Sequence, residues 1–252
     1  INAIFIALNL KYAQLRPSPQ RVVKLEWLTV ILLIVNFFAT YSFELETFRL
    51  TRMISLAVLV LYFLFHKRVK GLLLVMAFAF FMSREVGYHF FESLWGTEWY
   101  MASAMLGYLF LFLDRLPFIK YGFSIWIIVL ALILIAATLT ILVTLGELAR
   151  PNLNSHAELI FFYGYGIALI FLILAAFYYN HVLNSTRSLL YTFMVFGFMM
   201  SDIAACLAYY NKVTSLYYVD RGFFILSMAM LTHFGLNLHG AKRERKDLKM
   251  LR

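Results

Sequence analysis

Residues 198–210, FMMSDIAACLAYY, place one carboxylate, Asp202, inside an apolar run. Residues 72–91, LLLVMAFAFFMSREVGYHFF, place Arg84, Glu85 and His89 inside another. An Asp near the centre of a bilayer costs about 2.5–3.5 kcal/mol on translocon-type scales, so such a group is kept for a partner or for chemistry. Two carboxylates in one apolar cavity suit proton transfer, because desolvation and mutual repulsion keep a proton on one while the other stays ionised. Asp202 and Glu85 are the candidates for that pair. His89 follows Glu85 by four residues, one helical turn, where the two side chains can hydrogen-bond and relay a proton. Ser201, Arg84 and Asn211 complete the candidate site as substrate-binding groups. The competing reading is an ion pair, in which Arg84 and Asp202 neutralise each other between helices and no substrate is required. A cation beside Asp202 holds it ionised, the wrong state for a general acid.

The other polar residues point to structure. His233 and His239 are six apart, off a common helical face, and no His-x3-His or Glu-x2-His pair exists, so no metal and no cofactor are expected. Ser201 has no His at helical spacing to activate it and reads as a packing serine. Asp220 and Arg221 read as capping or anchoring groups at the outer end of the last helix. Tyr209, Tyr210, Tyr217 and Tyr218, with Trp95 and Trp99, read as an aromatic belt at the membrane surface. The single cysteine, Cys206, excludes an intramolecular disulfide.

The elements that must position these groups are membrane helices. Of 252 residues, 63% are hydrophobic and 14% charged, with a mean hydropathy of +0.81, too few charges to solvate an aqueous domain of this size. Four prolines and 12 glycines are also sparse punctuation. Helices satisfy their own backbone hydrogen bonds in lipid, and the short alternating segments of a transmembrane barrel are missing. Apolar segments at about 26–43, 50–66, 69–91, 99–117, 123–147, 156–183, 187–210 and 217–239 are each about long enough to cross roughly 30 Å of hydrocarbon. The fold expected is therefore all-α, a polytopic membrane protein with eight transmembrane helices.

The positive-inside rule tests that count. With the N-terminus cytoplasmic, inner stretches hold 16 of the 22 Lys and Arg, six of them in AKRERKDLKMLR. Outer loops hold Arg49, Arg52, Arg150, Lys212 and Arg221, and Arg84 is within a span. Both termini are thus expected in the cytoplasm. The opening INAIFIALNL lacks a basic leader, so no cleavable signal peptide is expected. The expected organisation is an interfacial segment over 1–25, a membrane domain over 26–240 and a basic cytoplasmic tail over 241–252. The net charge of +9 then reflects topology, and no nucleic acid is expected as a partner.

Eight spans divide into two sets of four in the same orientation, about 26–120 and 121–240. Setting residue n against n+118 aligns Leu72, Met76, Phe78, Phe80, Met82 and Ser83 with Leu190, Met194, Phe196, Phe198, Met200 and Ser201, all identical. The Met-Ser pair is followed by a charge in both halves, Arg84 and Asp202. Parallel repeats of this kind tend to carry the functional site at their interface.

The stretch FMVFGFMMSDIAACLAYYNKV (193–213), with RGFFILSMAMLTHFGLNL after it and FFYGYGIALIFLILAAFYYN before it, resembles the YhhN-like family, the membrane lysoplasmalogenases. About 85 residues are covered well and the first half more loosely. The resemblance implies eight helices, membrane lipid as partner, and hydrolysis of the vinyl ether of a lysoplasmalogen, with Asp202 as the leading catalytic residue. The reaction passes through proton transfer to carbon and an oxocarbenium-like cation that water traps, so it needs a general acid and a nearby negative group. Where the family has Gly-Asp in its third helix, this chain has Ser83 and Arg84 with Glu85 next. The family's His in the fourth helix has no counterpart in MASAMLGYLFLFLD. Two non-catalytic readings stay beside this one: a subunit partnered by other membrane proteins, and the membrane sensor of a signalling protein, for which the charged ending HGAKRERKDLKMLR speaks.

Overall fold

The computed structural model describes residues 19–42, 44–66, 71–93, 95–118, 125–153 and 155–237. The expected basic tail, His239 and most of the expected interfacial segment lie outside them. Among the described residues every regular element is helical: α1 Pro19–Ser42, α2 Leu45–His66, α3 Leu72–His89, α4 Gly96–Arg115, α5 Ile125–Ala149, α6 His156–Leu183, α7 Thr186–Tyr210 and α8 Leu216–Leu236, with short 3-10 turns after α4 and α5. The apolar segments read from sequence fall on these eight helices. Seven of them are long and apolar enough to cross a membrane; α8 falls short, because Asp220, Arg221 and its Ser, Thr and His residues dilute it.

Local sequence sets the boundaries. Asn184 ends α6 in the left-handed conformation (φ 40°), which Asn tolerates better than other non-glycine residues. Ser185 then opens α7 with a reciprocal cap, its hydroxyl accepting from the Ser188 N–H while the Ser188 hydroxyl accepts from the Ser185 N–H. The two helices can therefore turn back on each other without unpaired backbone groups. Ser155 caps α6 and also donates to Glu98 (3.1 Å), fixing the start of α6 beside the start of α4.

Packing is closest between α3 and α4, and between α7 and α8; α4 also lies against α6, and α8 against α1 and α2. Without a hydrophobic drive between helices in lipid, close approach depends on small residues. A β-carbon on Gly87 would stand 2.6 Å from the Tyr100 nitrogen, so only glycine lets α3 meet α4 there. The buried positions of α1 (Leu25, Thr29, Leu32, Asn36 and Ala39) recur every three or four residues and form one stripe toward α2 and α8. In contrast, α5 buries only Leu142, Gly146 and Ala149, at its C-terminal end. The exposed Ile, Leu, Val, Phe and Trp side chains spread over the outer faces, α5 above all, as lipid-facing helices require.

Several charges stand where the sequence did not put them. Arg49 and Arg52 belong to α2 and Asp220 and Arg221 to α8, and all four are buried, between 0% and 3% exposed. They are neither loop charges nor surface anchors. Of the five basic residues assigned to outer loops, only Arg150 and Lys212 stand outside the α-helices.

Candidate functional site

Charged and hydroxyl groups meet in the interior because each helix carries them on the stripe that faces its neighbours. On α2 that stripe reads Arg49, Arg52, Ser55, Leu56, Leu59 and Phe63. On α3 it reads Phe81, Arg84, Glu85 and Tyr88, and on α8 Tyr217, Asp220, Arg221 and Phe224. Four arginines (49, 52, 84 and 221) are matched by four carboxylates (Glu85, Glu92, Asp202 and Asp220). Leaving one partner of such a pair alone in a low dielectric is far costlier than burying both.

The charges form two clusters. In the first, Arg52 donates from Nε and Nη2 to both oxygens of Glu85 (2.6 and 2.7 Å) and from Nη1 to both oxygens of Asp220 (3.1 and 2.9 Å). Ser201 donates to Asp220 Oδ1 at 2.6 Å, tying α7 to α2, α3 and α8. The Arg52 guanidinium also lies over the rings of Tyr88 (4.4 Å) and Phe224 (4.2 Å). Arg221 stands 3.6 Å from Asp220, over Phe48 at 4.8 Å. Arg52, Glu85, Asp220 and Arg221 have no solvent-exposed side-chain surface.

The second cluster is centred on Asp202. Arg84 Nη2 donates to Asp202 Oδ1 (2.8 Å) and to the Tyr100 hydroxyl (2.7 Å), while Tyr108 donates to Asp202 Oδ2 (2.5 Å). Arg84 Nε stands 4.0 Å from Glu85, so the two clusters adjoin. Asp202 differs from the other buried carboxylates in opening onto space. With Tyr165 and Cys206 it lines two small cavities of about 70 and 50 Å³. The first is walled by Thr138, Leu142 and Leu145 of α5 and by Leu169 and Ile173 of α6. A third space of about 430 Å³, sharing no lining residue with the first, lies further along α5 and α6 and reaches Phe112 of α4; Ile128, Ala131, Ile135, Phe171, Leu174 and Phe177 are among its lining residues. The two spaces lie in line along the α5–α6 seam, whose lining on α5 runs from Ile127 to Leu145, about 27 Å at 1.5 Å per residue and close to the thickness of the hydrocarbon core.

Of the six residues nominated from sequence, only Arg84 and Asp202 are joined by a hydrogen bond, and of the two only Asp202 lines the cavities. Glu85 does not join Asp202: adjacent positions on a helix differ by about 100°, and its carboxylate turns to Arg52. Both its oxygens are taken there, and the expected Glu85–His89 hydrogen bond is not made. His89 instead packs edge-on against Phe90 (4.9 Å), its Nδ1 buried with no partner. Ser201 belongs to the first cluster, and Asn211 is exposed at the C-terminal cap of α7. Sequence reasoning missed Arg52 and Asp220 as interior groups, and Tyr100, Tyr108 and Tyr165 as the hydroxyls around Asp202. Arg49 and Arg52, three apart on one face and in line with Leu56, Leu59 and Phe63, held the available signal. Among the described residues no three His, Cys, Asp or Glu side chains gather closely enough to hold a metal ion. No family model, no curated protein and no solved structure matches the chain.

Proposed function

We propose that this chain is an eight-span integral membrane protein, both termini in the cytoplasm, that holds a single-chain lipid in the α5–α6 cleft. Its two four-helix halves, α1–α4 and α5–α8, are read as parallel repeats meeting at Arg84 and Asp202. Those residues are 118 apart in sequence and in contact, and residues equivalent under a twofold touch only near its axis. The packing of α3 on α4 is echoed by α7 on α8, and that of α4 on α6 by α8 on α2. The observation that carries the lipid-binding reading is Asp202. Although held by Arg84 and Tyr108, it lines both small cavities at one end of the α5–α6 seam, and the buried Glu85, Glu158 and Asp220 line neither.

The vinyl-ether hydrolysis implied by the resemblance over 193–213 is the second reading, favoured by the place of Asp202 beside the cavity. A single carboxylate cannot be at once the proton donor and the negative group beside an oxocarbenium-like cation. Glu85 is occupied by Arg52, and no other carboxylate lines either small cavity. A binding role without turnover therefore fits the geometry better.

Native mass spectrometry of the purified protein tests this. Retained single-chain lipid, lost in Ala131→Trp, which fills the cleft from the lipid-facing helix, is the expected result. Absence of lipid, or occupancy indifferent to that change, contradicts the proposal. Fatty aldehyde release from lysoplasmalogen, abolished by Asp202→Asn in a folded protein, would replace it with the hydrolase.

A further inference from the structure

The groups facing the two small cavities select a kind of headgroup. Asp202 presents a carboxylate whose two oxygens each receive one donor, leaving lone pairs free on the cavity side, where the side chain is 8% exposed. Tyr165 lines both cavities as well, its ring stacked on Tyr108 at 5.6 Å, and its hydroxyl is buried with no hydrogen-bond partner. A buried unpaired hydroxyl is costly until something satisfies it. The remaining lining holds Thr138, whose hydroxyl donates to the Leu134 carbonyl, the tyrosines Tyr88, Tyr100, Tyr209 and Tyr210, and Cys206, among apolar side chains such as Met199, Ile203, Phe162 and Ala205. Of the lining hydroxyls only that of Tyr165 is buried without a partner.

One acceptor-only group and one free hydroxyl call for a ligand atom that both donates and accepts. A ligand hydroxyl meets this, donating to Asp202 and accepting from Tyr165. A phosphate or carboxylate offers only acceptors and would place a second negative charge against Asp202 where water cannot screen it. A quaternary ammonium has no proton to donate and would lie beside Arg84. Size agrees: about 70 and 50 Å³ beside Asp202, against about 430 Å³ in the outer cleft, is a small head and a bulky tail.

Resting on the lipid-binding reading above, we propose that the cleft is selective for a neutral single-chain lipid with a hydroxyl headgroup, a long-chain alcohol or a monoacylglycerol, seated on Asp202 and Tyr165. Phosphate-bearing and carboxylate-bearing single-chain lipids are excluded. The chain of the ligand runs along α5 and α6 toward Phe177.

The test is competition binding on the purified protein in detergent, with radiolabelled oleyl alcohol and radiolabelled monooleoylglycerol as the two probes. Oleic acid and oleoyl-lysophosphatidylcholine are the competitors. The expected result is saturable binding of at least one probe, not displaced by either anionic or zwitterionic competitor, and weakened about three- to tenfold by Tyr165→Phe, the span of one hydrogen bond. That substitution keeps the ring and the Arg84–Asp202 pair, so the variant reports on the headgroup and not on folding. Preferred binding of lysophosphatidylcholine or oleic acid that Ala131→Trp abolishes would overturn the selectivity and leave the lipid cleft standing. Binding of no probe and no competitor, with the cavities holding water alone, would overturn both. Probe binding indifferent to Tyr165→Phe would overturn the assignment of the headgroup seat.

Discussion

The two buried charge clusters differ in one respect that separates scaffold from site. Around Arg52 each guanidinium nitrogen has a carboxylate partner, each oxygen of Glu85 and Asp220 has a donor, and none of these side chains reaches open space. Around Asp202 the pairing is as tight, yet the carboxylate faces cavities and a neighbouring hydroxyl goes unpaired. The Arg52–Glu85–Asp220 core is saturated and serves to lock α2, α3, α7 and α8 together, although Arg221 beside it keeps Nε and Nη1 without a hydrogen-bond partner. The Asp202 cluster differs in bordering cavities, which is what a binding seat requires. Both arise from the same device, a charge on the inward stripe of a membrane helix. What distinguishes them is the neighbour: α8 closes over Arg52, whereas a small cavity separates Asp202 from the packed end of α5.

Breaking the clusters should therefore have unequal consequences. The largest effect expected is that of Arg52→Met, which strands two carboxylates and costs about 3–5 kcal/mol; size-exclusion chromatography of the purified variant should show loss of the monodisperse species. Arg84→Met strands one carboxylate that still has Tyr108 and a cavity beside it, so a smaller loss is expected. The Arg84→Met/Asp202→Asn double variant should recover much of it, giving a thermal double-mutant cycle with favourable coupling. Ser201→Ala removes a charge-assisted hydrogen bond to Asp220 and should cost about 1.5–3 kcal/mol, read as a lower melting temperature.

The smallest effect belongs to the rim. Glu92 accepts two hydrogen bonds from Arg49 (2.5 and 2.7 Å), and these hold it below the usual 4.5 of a glutamate. A carboxylate lowered in the folded state stabilises above its unfolded pKa, and that contribution fades as pH falls through the folded value. With the Glu92 side chain 51% exposed, the contribution is under about 1 kcal/mol. Melting temperature should fall more steeply for the wild type than for Glu92→Gln as pH drops below about 4.5.

The sequence made the helices legible because a span needs about 20 apolar residues whatever its neighbours are. Arg84 and Asp202 were legible as a pair because each follows a long apolar run within its segment and they share a repeat position. Arg52, Asp220 and Arg221 were not, because each falls within about two turns of a helix start, where hydropathy cannot distinguish a loop charge from a buried one. Their partners are also remote: Arg52 is 33 residues from Glu85 and 168 from Asp220. The error over Glu85 was one of direction, since the helical step that takes Arg84 to Asp202 turns the next residue to α2. The cleft was illegible for a further reason: α5 has the most apolar window of the seven candidate spans, and its sequence does not say that it packs at one end only.

The division between scaffold and site is tested most directly by thermal melting of the wild type, Ser201→Ala and Tyr165→Phe, each with and without saturating oleyl alcohol or monooleoylglycerol. A ligand that binds only the folded state raises its melting temperature. Ser201→Ala should melt lower than wild type and keep the full lipid-induced rise, while Tyr165→Phe should melt like wild type and lose much of that rise. The reverse pattern, with Ser201→Ala abolishing the lipid response and Tyr165→Phe lowering only the basal melting temperature, would contradict the account.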